Sequence, residues 1–190
     1  VDIDLNVYKE FRTSGFRNMS VFKGAYIQID SPFFYLLDGI KPVILRGDLD
    51  SFHLNKNLQT NYFTGTAPLT KSSFVLRTVY KSLGNKLIKQ NLLSNTVTKT
   101  NLLEKQIDGI FCTDGEMVKV PNSTKFIYVY YYRNQFLCAD TNLNLLYKGK
   151  TIDTISWAHI KVARIASTGE ITMSAPPLYV NKRASANSEY

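Results

Sequence analysis

Apolar residues along this chain fall into short runs of about five to eight, cut by glycine, asparagine, aspartate and proline. Helical spacing is scarce. The strongest run is Lys125-Phe126-Ile127-Tyr128-Val129-Tyr130-Tyr131-Tyr132. It is preceded by a short strand pattern, Gly115 to Val120, and a break at Pro121-Asn122-Ser123. Arg133-Asn134 turns the chain, Gln135 to Ala139 returns, Asp140-Thr141-Asn142 turns it again, and Leu145 to Lys150 supplies a more polar strand. Strand-length runs separated by turn residues predict a four-stranded antiparallel meander over 110–153.

The run at 126–132 is apolar or aromatic on both sides: Phe126, Tyr128, Tyr130 and Tyr132 on one, Ile127, Val129 and Tyr131 on the other. A sheet with one wet face alternates apolar with polar residues. This pattern therefore predicts a strand covered on both faces, as in stacked blades; the centre of a β-sandwich is the alternative.

The same order recurs upstream. Val21 to Ile29, Phe33 to Leu37, Val43 to Leu45 and about 52–60 read as four strands, with turns at Asp38-Gly39 and Gly47 to Asp50. Phe74 to Tyr80, Lys86 to Leu92 and Thr96 to Leu103 read as three strands of another unit, turning at Leu83-Gly84-Asn85. Residues 160–165 and 171–174 flank the turn Ser167 to Glu170, and Leu178-Tyr179-Val180 follows Pro176-Pro177 as a further strand. The hairpin turns at 38, 84 and 133 are 46 and 49 residues apart. That period, with one four-stranded unit each, is the pattern of β-propeller blades. The expected fold is all-β, with blades at about 20–63, 64–107 and 110–153 and a partial unit over 156–190. About three and a half blades fit part of a six-bladed ring. The alternative is a closed four-bladed propeller in which residues 1–19 complete the last unit.

Composition agrees. The 190 residues include 12 Tyr and 11 Phe but one Trp, with 44% hydrophobic and 20% charged residues, the balance of a globular domain rich in strand formers. No apolar run approaches the roughly 20 residues of a membrane-crossing helix. Val1-Asp2-Ile3-Asp4 lacks both the basic and apolar parts of a signal peptide, and the absent initiator Met predicts a processed or excised chain.

The net charge of +8 raises nucleic-acid binding. The basic residues are scattered, however, and Lys182-Arg183 is their only adjacent pair. Without a basic run the charge reads as a solvated surface.

Candidate chemistry is thin. His53 and His159 have no ligand-forming neighbours at metal spacing. Asp48 and Asp50 are the nearest carboxylate pair and read as turn formers. No nucleophile elbow, phosphate loop or calcium loop occurs. Cys112 and Cys138 fit either one disulfide or two buried thiols. Asn18-Met19-Ser20 and Asn122-Ser123-Thr124 match the N-glycosylation pattern, which is common by chance. The tyrosines at 128–132 suit a carbohydrate-stacking platform, though packing between blades explains them more simply. No catalytic, cofactor-binding or metal-binding residue is therefore predicted.

The run from Phe126 to Phe136, the stretch Asp140 to Asp153, and Pro176 to Arg183 together resemble uncharacterised six-bladed, TolB-like propeller proteins of the Bacteroidetes envelope. The resemblance covers residues 65–190 and, more faintly, the first third. It implies a periplasmic or cell-surface protein of about twice this length, and brings no catalytic residues. The expected function is non-enzymatic binding of protein or glycan. The alternative is a glycan-active enzyme with acidic residues at a channel mouth.

Overall fold

The computed structural model describes residues 22–80 and 83–187. Every regular element among them is a β-strand. The chain divides into two compact units, Val1–Thr60 and Asn61–Tyr190.

The first unit holds β1 (Tyr26–Asp30), β2 (Phe33–Asp38), β3 (Val43–Asp48) and β4 (Leu54–Gln59), an antiparallel sheet in sequence order. The four strands fall near their predicted positions, except that β3 runs on through Gly47 and Asp48, read above as turn residues, because both pair with Phe34 and Phe33 of β2. Turn residues between them return the chain within a few positions, so neighbours in sequence become neighbours in the sheet. Tyr35, Leu37, Ile44 and Leu45 of the two central strands are fully buried. Ile27 and Ile29 on β1 are 68% and 67% exposed. The turn after β2 is organised by Asp38. Its carboxylate accepts backbone N–H groups from Lys23 (2.7 Å), Gly24 (3.3 Å), Ile40 (3.0 Å) and Lys41 (2.9 Å). Burial alone would raise this carboxyl, but the four donors outweigh it and hold Asp38 below the usual carboxylate value.

The second unit contains two further meanders in sequence order: β5 (Gly65–Thr70), β6 (Ser73–Tyr80), β7 (Gly84–Asn91), β8 (Val97–Lys99), and β9 (Gly115–Lys119), β10 (Lys125–Tyr130), β11 (Gln135–Asp140), β12 (Leu145–Lys150). A two-stranded hairpin, β13 (Val162–Arg164) and β14 (Ile171–Met173), follows.

Four further details differ from the sequence reading. β5 is not foreseen, because Pro68 and two threonines hide its apolar residues. Proline is tolerated there because β5 is an edge strand with a register shift between Pro68 and Thr70. Gly84 and Asn85 belong to β7 rather than to the turn before it. β10 ends at Tyr130, and Tyr131 and Tyr132 lie in the bend beyond. Residues 178–180 form no strand. Instead Val180 and Asn181 donate backbone N–H groups to the Tyr131 carbonyl at 2.8 and 3.0 Å, strapping the chain across the end of β10. Residues 1–19, invoked above as a ring-closing segment, lie outside the described residues.

The second unit's core lies between its two large sheets. Ala67, Leu69, Val75 and Leu87 from one pack with Met117, Phe126, Tyr128, Tyr130, Leu137 and Ala139 from the other. Sheets stacked in this way need apolar side chains on facing surfaces, which the 126–132 run supplies. Tyr132 turns instead into a smaller cluster with Cys112, Ala158 and Ile160. One kind of cross-strand pair occurs once in each unit: Phe34 covers Gly47, and Phe136 covers Gly149. A Cβ at either glycine would collide with the ring, so the pair works only as ring over bare backbone.

Candidate functional site

The densest set of polar side chains in the second unit sits where β9 begins and β10 ends. The loop entering β9 is fixed first. Asp108 accepts the backbone N–H groups of Ile110 and Phe111, both at 2.6 Å. Asn85 donates its backbone N–H to the Gly109 carbonyl (2.7 Å) and its side-chain amide to the Ile110 carbonyl (2.6 Å). Thr113 donates its hydroxyl to the Gly109 carbonyl at 2.7 Å. These bonds deliver Asp114 to Arg77 of β6.

Arg77 is 7% exposed and forms an ion pair with Asp114. Its guanidinium also donates to the Gly115 carbonyl, to the Tyr128 hydroxyl at 3.3 Å and to the Thr64 hydroxyl at 2.9 Å. The Tyr128 hydroxyl donates in turn to the Thr113 carbonyl. One buried cation thus joins β5, β6, β9 and β10. Burial works against its charge, but Tyr128 and Asp114 more than offset this and hold Arg77 above its usual value. Burial also raises the Asp114 carboxyl, and Arg77 and the Gly115 N–H only partly pull it back. Tyr128 rises above the usual phenol value for the same reason, desolvation.

Two residues along, Glu116 accepts a hydrogen bond from the Tyr131 hydroxyl at 3.3 Å and lies 3.7 Å from the Arg183 guanidinium. Tyr131 is pushed up to about 12, by burial first and then by the charge of Glu116. It stays a neutral donor at any ordinary pH. The strap brings Tyr179 against this corner. Its ring centroid is 5.0 Å from that of Tyr132 and 6.0 Å from that of Tyr131. Asn181 locks the strap, donating its side-chain amide to the carbonyls of Tyr130 (2.7 Å) and Arg133 (2.9 Å). Arg133 is itself buried, with its guanidinium 3.6 Å from the Tyr130 ring centroid.

The result is a surface corner with two partly exposed carboxylates, one exposed guanidinium (Arg183) and the edges of Tyr131 and Tyr179. Rings of this kind stack on the C–H faces of sugars or on apolar side chains, and the charged groups orient a polar ligand.

The other residues singled out in the sequence do not join it. His53 and His159 are exposed. Asp48 ends β3, its carbonyl accepting from the Phe52 N–H at 2.8 Å, as a turn former does. Asn122 adopts φ 53° in the turn before β10. Cys112 and Cys138 are free buried thiols, and the Cys112 sulfur accepts the backbone N–H groups of Gln106 (3.3 Å) and Ile107 (3.4 Å). Asn18 lies outside the described residues. No group of three or more His, Cys, Asp or Glu among the described residues could hold a metal ion. No helix among them is long and apolar enough to cross a membrane.

Of the tyrosine run, Tyr128 and Tyr130 belong to the core and Tyr131 to this corner. Sequence reasoning missed Arg77, Asp114, Glu116 and Tyr179. Their residue types and spacing carry no signal, because three separate segments bring them together. No protein-family model matches the sequence, and no curated protein matches it.

Proposed function

We propose that the three meanders are blades of a β-propeller, six-bladed and TolB-like as the resemblance implies, and that the protein is a non-enzymatic module of the cell envelope that binds a protein or glycan. The four-stranded order repeated three times and the face-to-face stacking of two meanders support the propeller reading. β9 is the more buried edge of its sheet and β12 the exposed one, so a propeller built of such blades would set β9 innermost, with its start at the channel mouth. The observation that carries the binding role is the corner built there from Glu116, Tyr131, Tyr179 and Arg183. Tyr179 is 45% exposed although it stacks on two other rings, so one face of a fixed aromatic platform is open to a ligand.

A glycan array and a pull-down from envelope extract, each with the wild type and Tyr179→Ala, test this. Retention of a glycan or protein by the wild type and its loss in the variant is the expected result. Equal retention by both, or by neither, overturns it.

A glycan-active enzyme is the second reading. It is favoured by the raised Asp114 carboxyl two residues from Glu116 where β9 begins, since glycosidic cleavage uses a pair of carboxyl groups. Turnover of an envelope glycan that disappears in both Asp114→Asn and Glu116→Gln would establish it.

A further inference from the structure

A cleft of about 750 Å3 opens beside the β13–β14 hairpin, with Tyr62, Val79, Ile110, Arg164, Glu170 and Ile171 among its walls. Its residues are separate from the tyrosine corner. We propose that it is a second binding site, and that its ligand is an anionic saccharide carrying a carboxylate or sulfate group.

The hairpin sets the geometry. Arg164 pairs with Ile171 and Val162 with Met173, so all four side chains share one face. Val162 and Met173 pack against the Cys112–Tyr132–Ala158–Ile160 cluster, which turns that face toward the body of the unit. The same face therefore carries Arg164 to the cleft wall. Among the described residues the Arg164 side chain has no ion-pair or hydrogen-bond partner, unlike those of Arg77 and Arg133. A guanidinium left free at a concave wall is a ready partner for a planar anionic group.

Across the cleft Tyr62 is 45% exposed, and its backbone is held by a hydrogen bond from the Thr78 hydroxyl to its carbonyl at 3.1 Å. An open phenol ring suits the C–H face of a sugar. Glu170 is held by the Thr168 hydroxyl, which donates to its carboxylate and accepts its backbone N–H, both at 3.3 Å. Its remaining acceptor capacity fits ligand hydroxyl groups. One cation, one aromatic ring and one hydroxyl acceptor together fit an acidic sugar. A nucleic-acid strand would want several cations along the wall, and among the described lining residues Arg164 is the single one. The volume lies in the range of small-ligand sites, and the +8 net charge of the chain draws anions toward it.

Calorimetric titration of the full chain tests the site, with trigalacturonate, a sulfated heparin disaccharide, neutral maltotriose, a glutamate-rich peptide and an oligothymidylate as probes. Saturable binding of the galacturonate or the sulfated sugar is expected, with maltotriose much weaker. Which acidic sugar binds distinguishes carboxylate from sulfate recognition. Arg164→Gln should weaken binding roughly tenfold, the loss of one charge-assisted contact. Tyr62→Ala should weaken it too. Circular dichroism checks that the exposed Arg164→Gln change leaves the fold intact. The proposal is overturned by no saturable binding of either acidic sugar, by equal affinity in wild type and Arg164→Gln, or by maltotriose, the peptide or the oligothymidylate binding as tightly.

Discussion

The sheets β1–β4 and β9–β12 have the same strand order and the same strand lengths, yet they bury their apolar residues differently. In β9–β12, Phe126, Tyr128 and Tyr130 are sealed by the β5–β8 sheet stacked on them, and Met117 of the edge strand is 9% exposed. In β1–β4, the edge strand leaves Ile27 and Ile29 about two-thirds exposed, and burial is concentrated on β2 and β3. An apolar strand does not bury itself. For Tyr128 the cover comes from a second sheet on the same face, and its ring then contributes its full transfer energy.

The most direct way to break this contrast is Tyr128→Ala. It removes a fully buried ring and the acceptor of an Arg77 hydrogen bond. Urea unfolding should show a loss of about 3–5 kcal/mol. A loss below about 1 kcal/mol would mean that the stacked core is not what holds the second unit.

Arg77→Met comes next. It leaves Asp114 without its ion pair and Thr64 without a donor, although water still reaches the carboxyl. A loss of about 2–3 kcal/mol in the same assay is expected. Asp114→Asn should cost less, because its carboxyl is already raised.

Asp38→Asn probes the first unit. An amide cannot accept all four N–H donors that the carboxylate holds, and the cost at pH 7 should be about 1–2 kcal/mol. The two aspartates also give opposite pH slopes. Asp38 is held below its usual value, so its contribution is present above that value and fades as pH falls through its folded one. Asp114 is raised, so its contribution is greatest below the usual carboxylate value and is lost as pH rises through its folded one. Stability profiles between pH 3 and 7 should therefore show a shallower acid loss in Asp38→Asn and a steeper one in Asp114→Asn. The same slope change in both variants would contradict the assignment.

The smallest effect belongs to Ile27→Ser, an exposed site. A change within about 0.5 kcal/mol is expected. A loss near 2 kcal/mol would show that β1 is covered in solution.

The strands of the first and third meanders were legible because compact apolar runs form their central hairpins and turn residues bound every strand. β5 was not, since Pro68 and its threonines mask a strand that only its pairing with β6 secures. The strap at 178–181 read as a strand because Leu-Tyr-Val favours one locally, but Asn181 binds carbonyls at the end of β10 instead. Tyr131 was visible within the tyrosine run, without its separation from the buried Tyr128 and Tyr130. Arg77 and Asp114 were invisible as a pair, 37 positions apart.

By itself, then, the sequence determined the local units: strand, turn and return, repeated at 46 and 49 residues. Periodicity and turn chemistry act over a few neighbouring residues, so they survive in a one-dimensional record. Which face of each sheet became core, which carboxylate met an arginine and which tyrosine stayed at the surface were decided by tertiary structure. Those outcomes depend on stacking and burial between distant segments, and no spacing along the chain encodes them.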